Sequence, residues 1–271
     1  MEGLTKYWGF YFVAGQDVNF VGVNDLEKAL QGVASYMEWV SDLSRLETGA
    51  QTAQNETNIR IAAKAFKKVV VARIVVFDLF LELVIATEGS LLGKHRRTWL
   101  LFQLSDALSP GDRGTHPFIR IGECLNHASE RDLDEMLGRL RRVLQKYLPR
   151  SSLIFALDEA QVAMRLYPNP FLSSTNTQAF RSVLREIVRV FTRLPVKLVV
   201  SGTGLSLAEV SESLNSGVGK LENFELFHNL GMFDTWPKMK ATLQKYIPPS
   251  VLESHSGGRL QQRIWEYLSG R

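Results

Sequence analysis

The feature that most limits how this chain can fold is a set of short apolar runs separated by longer stretches with helical periodicity. The runs are Trp8–Ala14, Leu153–Leu157 and Lys197–Val200. Each is too short for a core helix and is rich in β-branched or large apolar residues, so each predicts a buried strand. Strands of this kind that alternate with helices favour a parallel sheet covered on both faces. The sequence therefore predicts an α/β fold with a mostly parallel sheet.

The stretches between these runs predict the helices. Apolar residues recur at helical spacing over Asn24–Leu43 and Ile59–Thr87, and a polar linker, Glu47–Asn58, is expected between them. Ser129–Leu148 has the clearest pattern, because Ser129 is a good N-cap residue and the acids precede the bases along the helix. The remaining predictions are helices at Arg96–Ala107 and Phe180–Leu194, two or three short helices within Trp236–Leu268, and a further strand at Phe224–Phe227.

Composition and charge narrow the classes of function. The chain has 271 residues, of which 45% are hydrophobic and 22% charged, which is enough for one large domain or two small ones. Its one cysteine, Cys124, excludes an internal disulfide framework and fits a reducing compartment. The net charge of +4 is spread without a long single-sign run, which argues against a nucleic-acid partner.

Targeting segments are not indicated by the sequence. The most apolar segment, Val69–Ala86, is interrupted by three charged residues, and this argues against a membrane span. The N-terminus begins with an acid and lacks the long apolar centre of a signal peptide. We therefore expect a cytoplasmic or nuclear protein without a membrane partner.

Two acids after the second apolar run are the best candidates for chemistry. Asp158 and Glu159 follow Leu153–Leu157 directly, and ligands of open parallel sheets collect at the carboxyl ends of the strands. An aspartate there can hold a hydrated Mg²⁺, and a neighbouring glutamate can orient and deprotonate an attacking water. Taken alone, the pattern is also that of an ordinary buried strand that reaches solvent at an acid.

A second polar segment strengthens this interpretation. One helix further on, Lys197–Val200 is followed by Ser201-Gly-Thr-Gly204. A P-loop ATPase carries a small polar residue here, beside the terminal phosphate and the attacking water, and either Thr203 or Ser201 can serve. By themselves these residues also fit a glycine-rich turn. Both segments together, in this order, favour a Walker B strand followed by a polar-tipped strand.

Four segments carry a resemblance to a known family: Trp8–Ala14, Leu157–Gln161, Leu198–Gly204, and the tail from Ser256 to Arg271. They resemble the NTPase domain of fungal and oomycete proteins related to Crinkler effectors, which are regulatory P-loop ATPases of the broad AAA/STAND group. The resemblance implies a P-loop NTPase-like, three-layer α/β/α core over residues 1–235, with a helical insertion at about 24–148. Residues 236–271 would then begin a C-terminal helical region.

The resemblance also implies ligands and residue roles. ATP and Mg²⁺ would be bound, with Asp158 as the acid that holds the metal through water and Glu159 as the catalytic acid. Thr203 matches the sensor position, and Ser201 would lie beside the nucleotide.

The phosphate-binding loop of that family is missing from the sequence. It requires Gly-x-x-x-x-Gly-Lys-Ser/Thr, whose backbone N–H groups surround the phosphates. Gly89–Lys94 is one residue short, and Asn215–Lys220 has Leu214 and Leu221 where glycine and a hydroxyl residue belong, so both are predicted to be plain loops. In the resembled family the loop precedes the strand at Trp8. We therefore expect the chain to lack the first strand, the phosphate loop and the first helix.

The sequence predicts a regulatory ATPase-type domain that is inactive alone, because loss of the loop removes most of the phosphate donors at once. Nucleotide binding would need a missing N-terminal segment. The alternative is a catalytically dead interaction module of an effector or immune-type protein, with an unknown protein partner. A truncated product without a stable fold is a third possibility, since an incomplete sheet exposes unpaired edges.

Overall fold

The computed structural model describes residues 7–15, 22–104, 116–149, 152–173, 179–202, 235–244 and 247–268. The chain divides into two compact units, Met1–Leu221 and Glu222–Arg271. Two sequence predictions, the strand at Phe224–Phe227 and the loop at Asn215–Lys220, lie outside the described residues.

The regular elements alternate between short strands and helices of very different length. In chain order they are β1 (Trp8–Val13), α1 (Asp25–Gly32), α2 (Thr48–Glu88), α3 (Gly93–Leu104), α4 (Pro117–Cys124), α5 (Glu130–Tyr147), β2 (Leu153–Asp158), α6 (Ala160–Leu166), β3 (Phe171–Leu172), β4 (Phe180–Arg181), α7 (Leu184–Thr192), β5 (Lys197–Val200), α8 (Trp236–Gln244), α9 (Pro249–Leu252) and α10 (His255–Leu268), with short 3₁₀ turns at Val33–Ser35, Leu43–Arg45 and Leu125–His127.

The three predicted strands form one parallel sheet in the order β1, β2, β5. The β1–β2 register runs from Trp8 opposite Leu153 to Val13 opposite Asp158. Parallel strands bring their carboxyl ends to the same edge of the sheet, so the residues after Val13, Asp158 and Val200 come together. The broad α/β class and the parallel sheet are confirmed. Strands β3 and β4 form a separate antiparallel pair.

One face of the sheet is covered by aromatic packing against α2 and α7. Phe10, Phe12 and Phe155 are fully buried on this face. The Phe10 ring lies 5.2 Å from Phe77 of α2, and the Phe12 ring lies 4.6 Å from Phe191 of α7, centroid to centroid. Aromatic pairs at such distances stabilise a fold beyond the area they bury. These contacts fix the sheet against α2 and α7.

The other face is covered only in part. Leu100 of α3 packs with Tyr11 and Val13 of β1, and Ile154 of β2 lies against the same cluster. On β5 the side chain of Val199 is 51% exposed. The sequence predicts helices on both faces of the sheet. Within the described residues they cover one face, and on the other face they cover only β1 and β2.

Helix α2 corrects the predicted polar linker. It runs without a break for 41 residues from Thr48 to Glu88, and it ends at Gly89 with φ of 72°, a left-handed C-cap. The prediction of a linker at Glu47–Asn58 is wrong, because its polar residues belong to the helix and one of them makes hydrogen bonds inside the fold. Asn58 is fully buried and donates to the backbone oxygens of Val40 (2.7 Å) and Pro170 (2.8 Å).

The helix predicted over Asn24–Leu43 is too long. Helix α1 ends at Gly32 and, after one 3₁₀ turn, the chain becomes extended. The apolar residues that follow do not share a helix face: Met37 is fully exposed, whereas Trp39 packs edge-on against Tyr167 (5.5 Å) and Phe171 (6.1 Å). Contacts distant in sequence therefore override the local periodicity.

Two other sequence predictions meet different outcomes, and two helices are not predicted. The helix predicted at Phe180–Leu194 begins only at Leu184, because Phe180–Arg181 pairs with β3. Helices α4 and α6 are absent from the prediction. Helix α5 is confirmed together with its cap, since Ser129 Oγ accepts from Asp132 N (3.2 Å) and an Asp132 oxygen accepts from Ser129 N (3.0 Å).

The outer edge of β1 is sealed by side chains. Gln103 accepts from Tyr11 N (3.0 Å) and donates to Gly9 O (3.1 Å). Trp99 Nε1 also donates to Gly9 O (2.8 Å), and Arg73 Nη1 donates to Tyr11 O (2.5 Å). Polar side chains thus occupy the backbone groups that a further strand would need on this side.

The outer edge of β5 is open in the part of the chain that the structure describes. Ser201 N donates to Leu157 O (2.8 Å), so by strand alternation the backbone groups of Leu198 and Val200 point away from β2. No hydrogen bond from a described residue reaches those outward groups. Unpaired N–H and C=O groups in a row are a template for another strand.

Candidate functional site

A side chain of β1 and the side chain that directly follows β5 meet at Asp158, the last residue of β2. Tyr11 Oη donates to Asp158 Oδ2 (2.6 Å), and Ser201 Oγ donates to Asp158 Oδ1 (2.8 Å). The backbone N–H of Glu159 also donates to Oδ1 (3.0 Å). Three donors therefore fix the orientation of one half-buried carboxylate at the carboxyl ends of the strands.

Glu159 has a strained backbone. Its φ of 55° and ψ of 34° lie in the left-handed region, and among the described residues it is the non-glycine residue with positive φ. The left-handed conformation costs an L-residue about 1–2 kcal/mol. Its side chain accepts a hydrogen bond from Gln161 Nε2 in the first turn of α6. Backbone outliers of this kind cluster at functional sites, so the strain singles out the position next to Asp158.

A glycine makes room for the tyrosine of the site. Gly22 has φ of 88°, and a Cβ at this position would lie 2.9 Å from Tyr11 Cε1. The Tyr11 ring therefore rests against bare backbone and reaches Asp158. Any L-residue at position 22 would be strained in its own backbone and would also push the ring away.

The structure brings together two of the four predicted site residues by direct contact, Asp158 and Ser201. Glu159 adjoins them, but the described contact of its carboxylate is with Gln161. Thr203 lies outside the described residues. The roles assigned to these residues stay predictions.

Tyr11 is the site residue that the sequence reasoning missed. It is one of three successive aromatic residues, Phe10, Tyr11 and Phe12, and such a run indicates a core strand. The strand period of two was the available signal, because it places Tyr11 on the face opposite Phe10 and Phe12. That face also carries Asp158.

The described residues of the site offer a metal ion one oriented carboxylate, Asp158, and do not by themselves fit a triphosphate. Asp158 Oδ1 already accepts two hydrogen bonds and Oδ2 accepts one, so contact with a metal ion here would have to run through a water molecule. Within the described residues no cluster of three His, Cys, Asp or Glu side chains could hold a metal directly. The loop that would wrap phosphates is absent from the sequence.

The first near-match to a phosphate loop, Gly89–Lys94, has a structural use. Gly89 caps α2, and Gly93 begins α3. Lys94 pairs with Glu88, and its hydrogen bond holds the pKa of the Glu88 carboxyl below the ordinary value. The segment connects two helices, as its position after a helix predicts, and its lysine is engaged by an acid.

Comparisons with known proteins give little further guidance. No family model matches the chain, and no solved structure matches it. A partial similarity connects it to Eukaryotic translation initiation factor 3 subunit L of Brugia malayi, with 27% identity over 113 residues. The matched region is 41% of this chain and 20% of that protein, so the chain spans about a fifth of that relative.

Among the described helices, none has an apolar stretch long enough to cross a bilayer.

Proposed function

We propose that this chain supplies one half of a P-loop-type NTPase site. This acidic half consists of Asp158, Glu159 and Ser201, and the other half is the loop that binds the phosphates. The observation that carries the proposal is the contact between Asp158, at the end of the central parallel strand, and Ser201, at the end of the neighbouring strand (2.8 Å). Ligands of parallel sheets collect at this edge. The strained Glu159 beside them supports the same assignment.

Each residue has a separate task in the proposed site. Asp158 holds a hydrated Mg²⁺, and Tyr11 and Ser201 keep its carboxylate in one orientation. Glu159 orients and deprotonates the attacking water. When bound, Mg²⁺ neutralises negative charge on the phosphates.

The outer edge of β5, with which no described residue pairs, is where the phosphate-binding half would add. A strand that paired in parallel with β5 would end beside Ser201, because parallel strands share the edge at which they end. Backbone N–H groups following such a strand would then face the phosphates near Asp158. The sealed edge of β1 argues against addition on the other side.

Metal binding by the chain tests the acidic half directly. Mn²⁺, a spin-active substitute for Mg²⁺, is titrated into the chain and the free ion is followed by electron paramagnetic resonance. We expect weak, saturable binding that Asp158→Asn removes and that Glu253→Gln, a change at an exposed acid of the second unit, leaves unchanged. Equal Mn²⁺ binding by the Asp158→Asn variant and the natural chain would refute the assignment of Asp158.

A calorimetric titration with Mg-ATP tests the missing half. We expect no saturable binding by the folded chain, because the phosphate loop is absent. Micromolar binding would show that the chain contains a complete nucleotide site, which contradicts the proposed division into halves. Asp158→Asn would then show whether that site includes the strand ends.

A second candidate function is an interaction module without catalysis. The partial similarity to a protein named as a subunit of a translation initiation factor favours it, since a subunit works by binding other chains. The outer edge of β5, unpaired within the described part of the chain, offers the means, because an added strand gains backbone hydrogen bonds. On this hypothesis the acids at Asp158 and Glu159 are remnants.

Variants on the exposed face of β5 distinguish this candidate. Val199→Lys places a charge on an edge strand, a change that opposes strand addition. Leu83→Lys is the matched control, because Leu83 is also apolar and is 63% exposed on a helix, α2, and not on a strand. In crosslinking of the purified chain with a candidate partner, loss of the crosslink in Val199→Lys alone supports the module. Loss in both variants, or in neither, contradicts it.

A further inference from the structure

A cavity of about 310 Å³ lies among α1, α2 and α4, on the helical side of the first unit. Val69, Phe118 and Ile119 give it apolar walls, and all three side chains are buried. Lys28 and Lys68 supply polar groups at its lining. The volume is at the lower end of the range of small-molecule sites, about 300–1,000 Å³. A mainly apolar lining with a few polar groups is also typical of such sites.

The Lys68 amine lacks an acid partner in the described part of the chain. Its Nζ donates to the neutral amide of Asn126 (2.9 Å), and burial together with the nearby Lys64 lowers its pKa. The adjacent Lys67, by contrast, pairs with Asp134 at 2.6 Å. An ammonium that lines an apolar cavity and has no carboxylate partner among the described residues can donate to an anion.

The acids that line the cavity do not fill this role. Asp25 gives both of its oxygens to Arg73 (2.6 and 2.8 Å), and their charges cancel. Glu123 is exposed, and the described partner of the Lys68 amine is Asn126. Lys28 and Glu123, both exposed at the lining, carry opposite charges, so the positive charge of Lys68 is left without a counterpart there. The balance at the cavity therefore favours a negative ligand.

We propose that this cavity binds a small amphipathic carboxylate. Its apolar body lies against Val69, Phe118 and Ile119, and its anionic group accepts from the Lys68 amine. A lysine amine has three donors, so Lys68 keeps its bond to Asn126 while it binds the ligand. The site is built by helices and does not depend on the proposed NTPase function.

A pair of fluorescent probes tests the proposal with the full chain. Anilinonaphthalene sulfonate combines an apolar ring system with an anion, and phenylnaphthylamine carries the same rings without the charge. We expect saturable binding of the sulfonate, displacement by decanoate, and weaker binding of the uncharged probe. Absence of saturable sulfonate binding by the natural chain overturns the proposal.

Two lysine variants decide whether the anion is recognised at Lys68. Lys68→Met should lower the affinity for the sulfonate about tenfold, which corresponds to about 1.4 kcal/mol of binding free energy. Its affinity for the uncharged probe should be unchanged. Lys64→Met, one turn earlier on α2, is the control and should bind both probes normally. An unchanged preference for the sulfonate in Lys68→Met, or an equal loss in Lys64→Met, overturns the proposal.

A variant that fills the cavity gives an independent test if Lys68→Met folds poorly. Ala29 of α1 lines the cavity and is only partly buried, so Ala29→Phe adds bulk inside it without changing a charge. We expect Ala29→Phe to lose binding of both probes while its circular dichroism stays that of the natural chain. Undiminished sulfonate binding by folded Ala29→Phe places the probe elsewhere and overturns the proposal.

Discussion

Tyr11 donates a 2.6 Å hydrogen bond to Asp158, which lies 147 positions further along the chain. The register of β1 and β2 pairs Tyr11 with Ala156, so the ring reaches two residues forward to the end of the neighbouring strand. The bond couples the first strand of the fold to the acid that marks the candidate site. The same hydrogen bond therefore contributes both to the stability of the fold and to the geometry of the candidate site.

Removal of this hydroxyl should destabilise the fold. Tyr11→Phe keeps the ring against Gly22 and removes the donor, and a hydrogen bond to a charged group contributes about 1.5–3 kcal/mol. We expect a loss of that size in the free energy of unfolding, measured by urea denaturation. Tyr7→Phe, at a tyrosine that is 48% exposed, is the control and should unfold like the natural chain. Equal midpoints for all three proteins would show that the bond contributes nothing.

Arg73 is the central polar residue of the core. It is fully buried, binds Asp25 through two nitrogens, and lies 4.2 Å from the centroid of the Phe12 ring. Arg73→Met leaves the Asp25 carboxylate buried without a cation, which should cost about 3–5 kcal/mol. Urea denaturation measures the change.

The double variant Arg73→Met with Asp25→Asn checks the cause of that loss. It removes the unpaired charge, so it should be more stable than Arg73→Met alone. If the second substitution adds a further loss, the buried charge is not the reason for the instability.

The sequence predicts the parts of the fold that depend on local patterns. Lys197–Val200 matches β5 residue for residue, and the capped helix at Ser129 is present, because alternation and capping are properties of short segments. Asp158 is likewise found from its position after an apolar run. The predictions that fail are those that depend on contacts between distant residues. Asn58, for example, has the character of a linker residue until its buried hydrogen-bond partners are known.

The candidate site shows the same division. Asp158 and Ser201 can be predicted because each follows a strand directly. The Tyr11 contact requires the register between β1 and β2, which no single segment contains. Similarly, Arg73 indicates only that its apolar segment is not a membrane span, and its pairing with Asp25 across 48 positions appears only in the fold.

Glu159 offers a test of stored strain. Glu159→Gly relieves the left-handed backbone, which costs an L-residue about 1–2 kcal/mol, although glycine also loses more chain entropy on folding. Glu159→Ala removes the same contact with Gln161 but keeps the strain. We expect the glycine variant to be more stable than the alanine variant by about 1 kcal/mol in urea denaturation. An alanine variant at least as stable would show that the backbone strain is no larger than the entropy that glycine loses on folding.

Glu186 of α7 should make stability depend on pH. Its side chain is fully buried, and burial raises the pKa of the carboxyl above the ordinary 4.5, although Arg189, Arg185 and Arg193 act in the opposite direction. The folded state therefore holds the proton more tightly than the unfolded state. This contribution to stability is complete below pH 4.5 and is lost as the pH rises through the raised pKa of the folded state.

Glu186→Gln cannot titrate, so it isolates this contribution. We expect the free energy of unfolding of the variant, relative to that of the natural chain, to increase as the pH is raised from 4.5, the ordinary value, towards neutrality. Urea denaturation at a series of pH values measures the difference. Glu253→Gln, at an exposed acid outside α7, is the control. A difference that is constant with pH, or that decreases, would mean that the three arginines outweigh burial and keep Glu186 ionised in the fold.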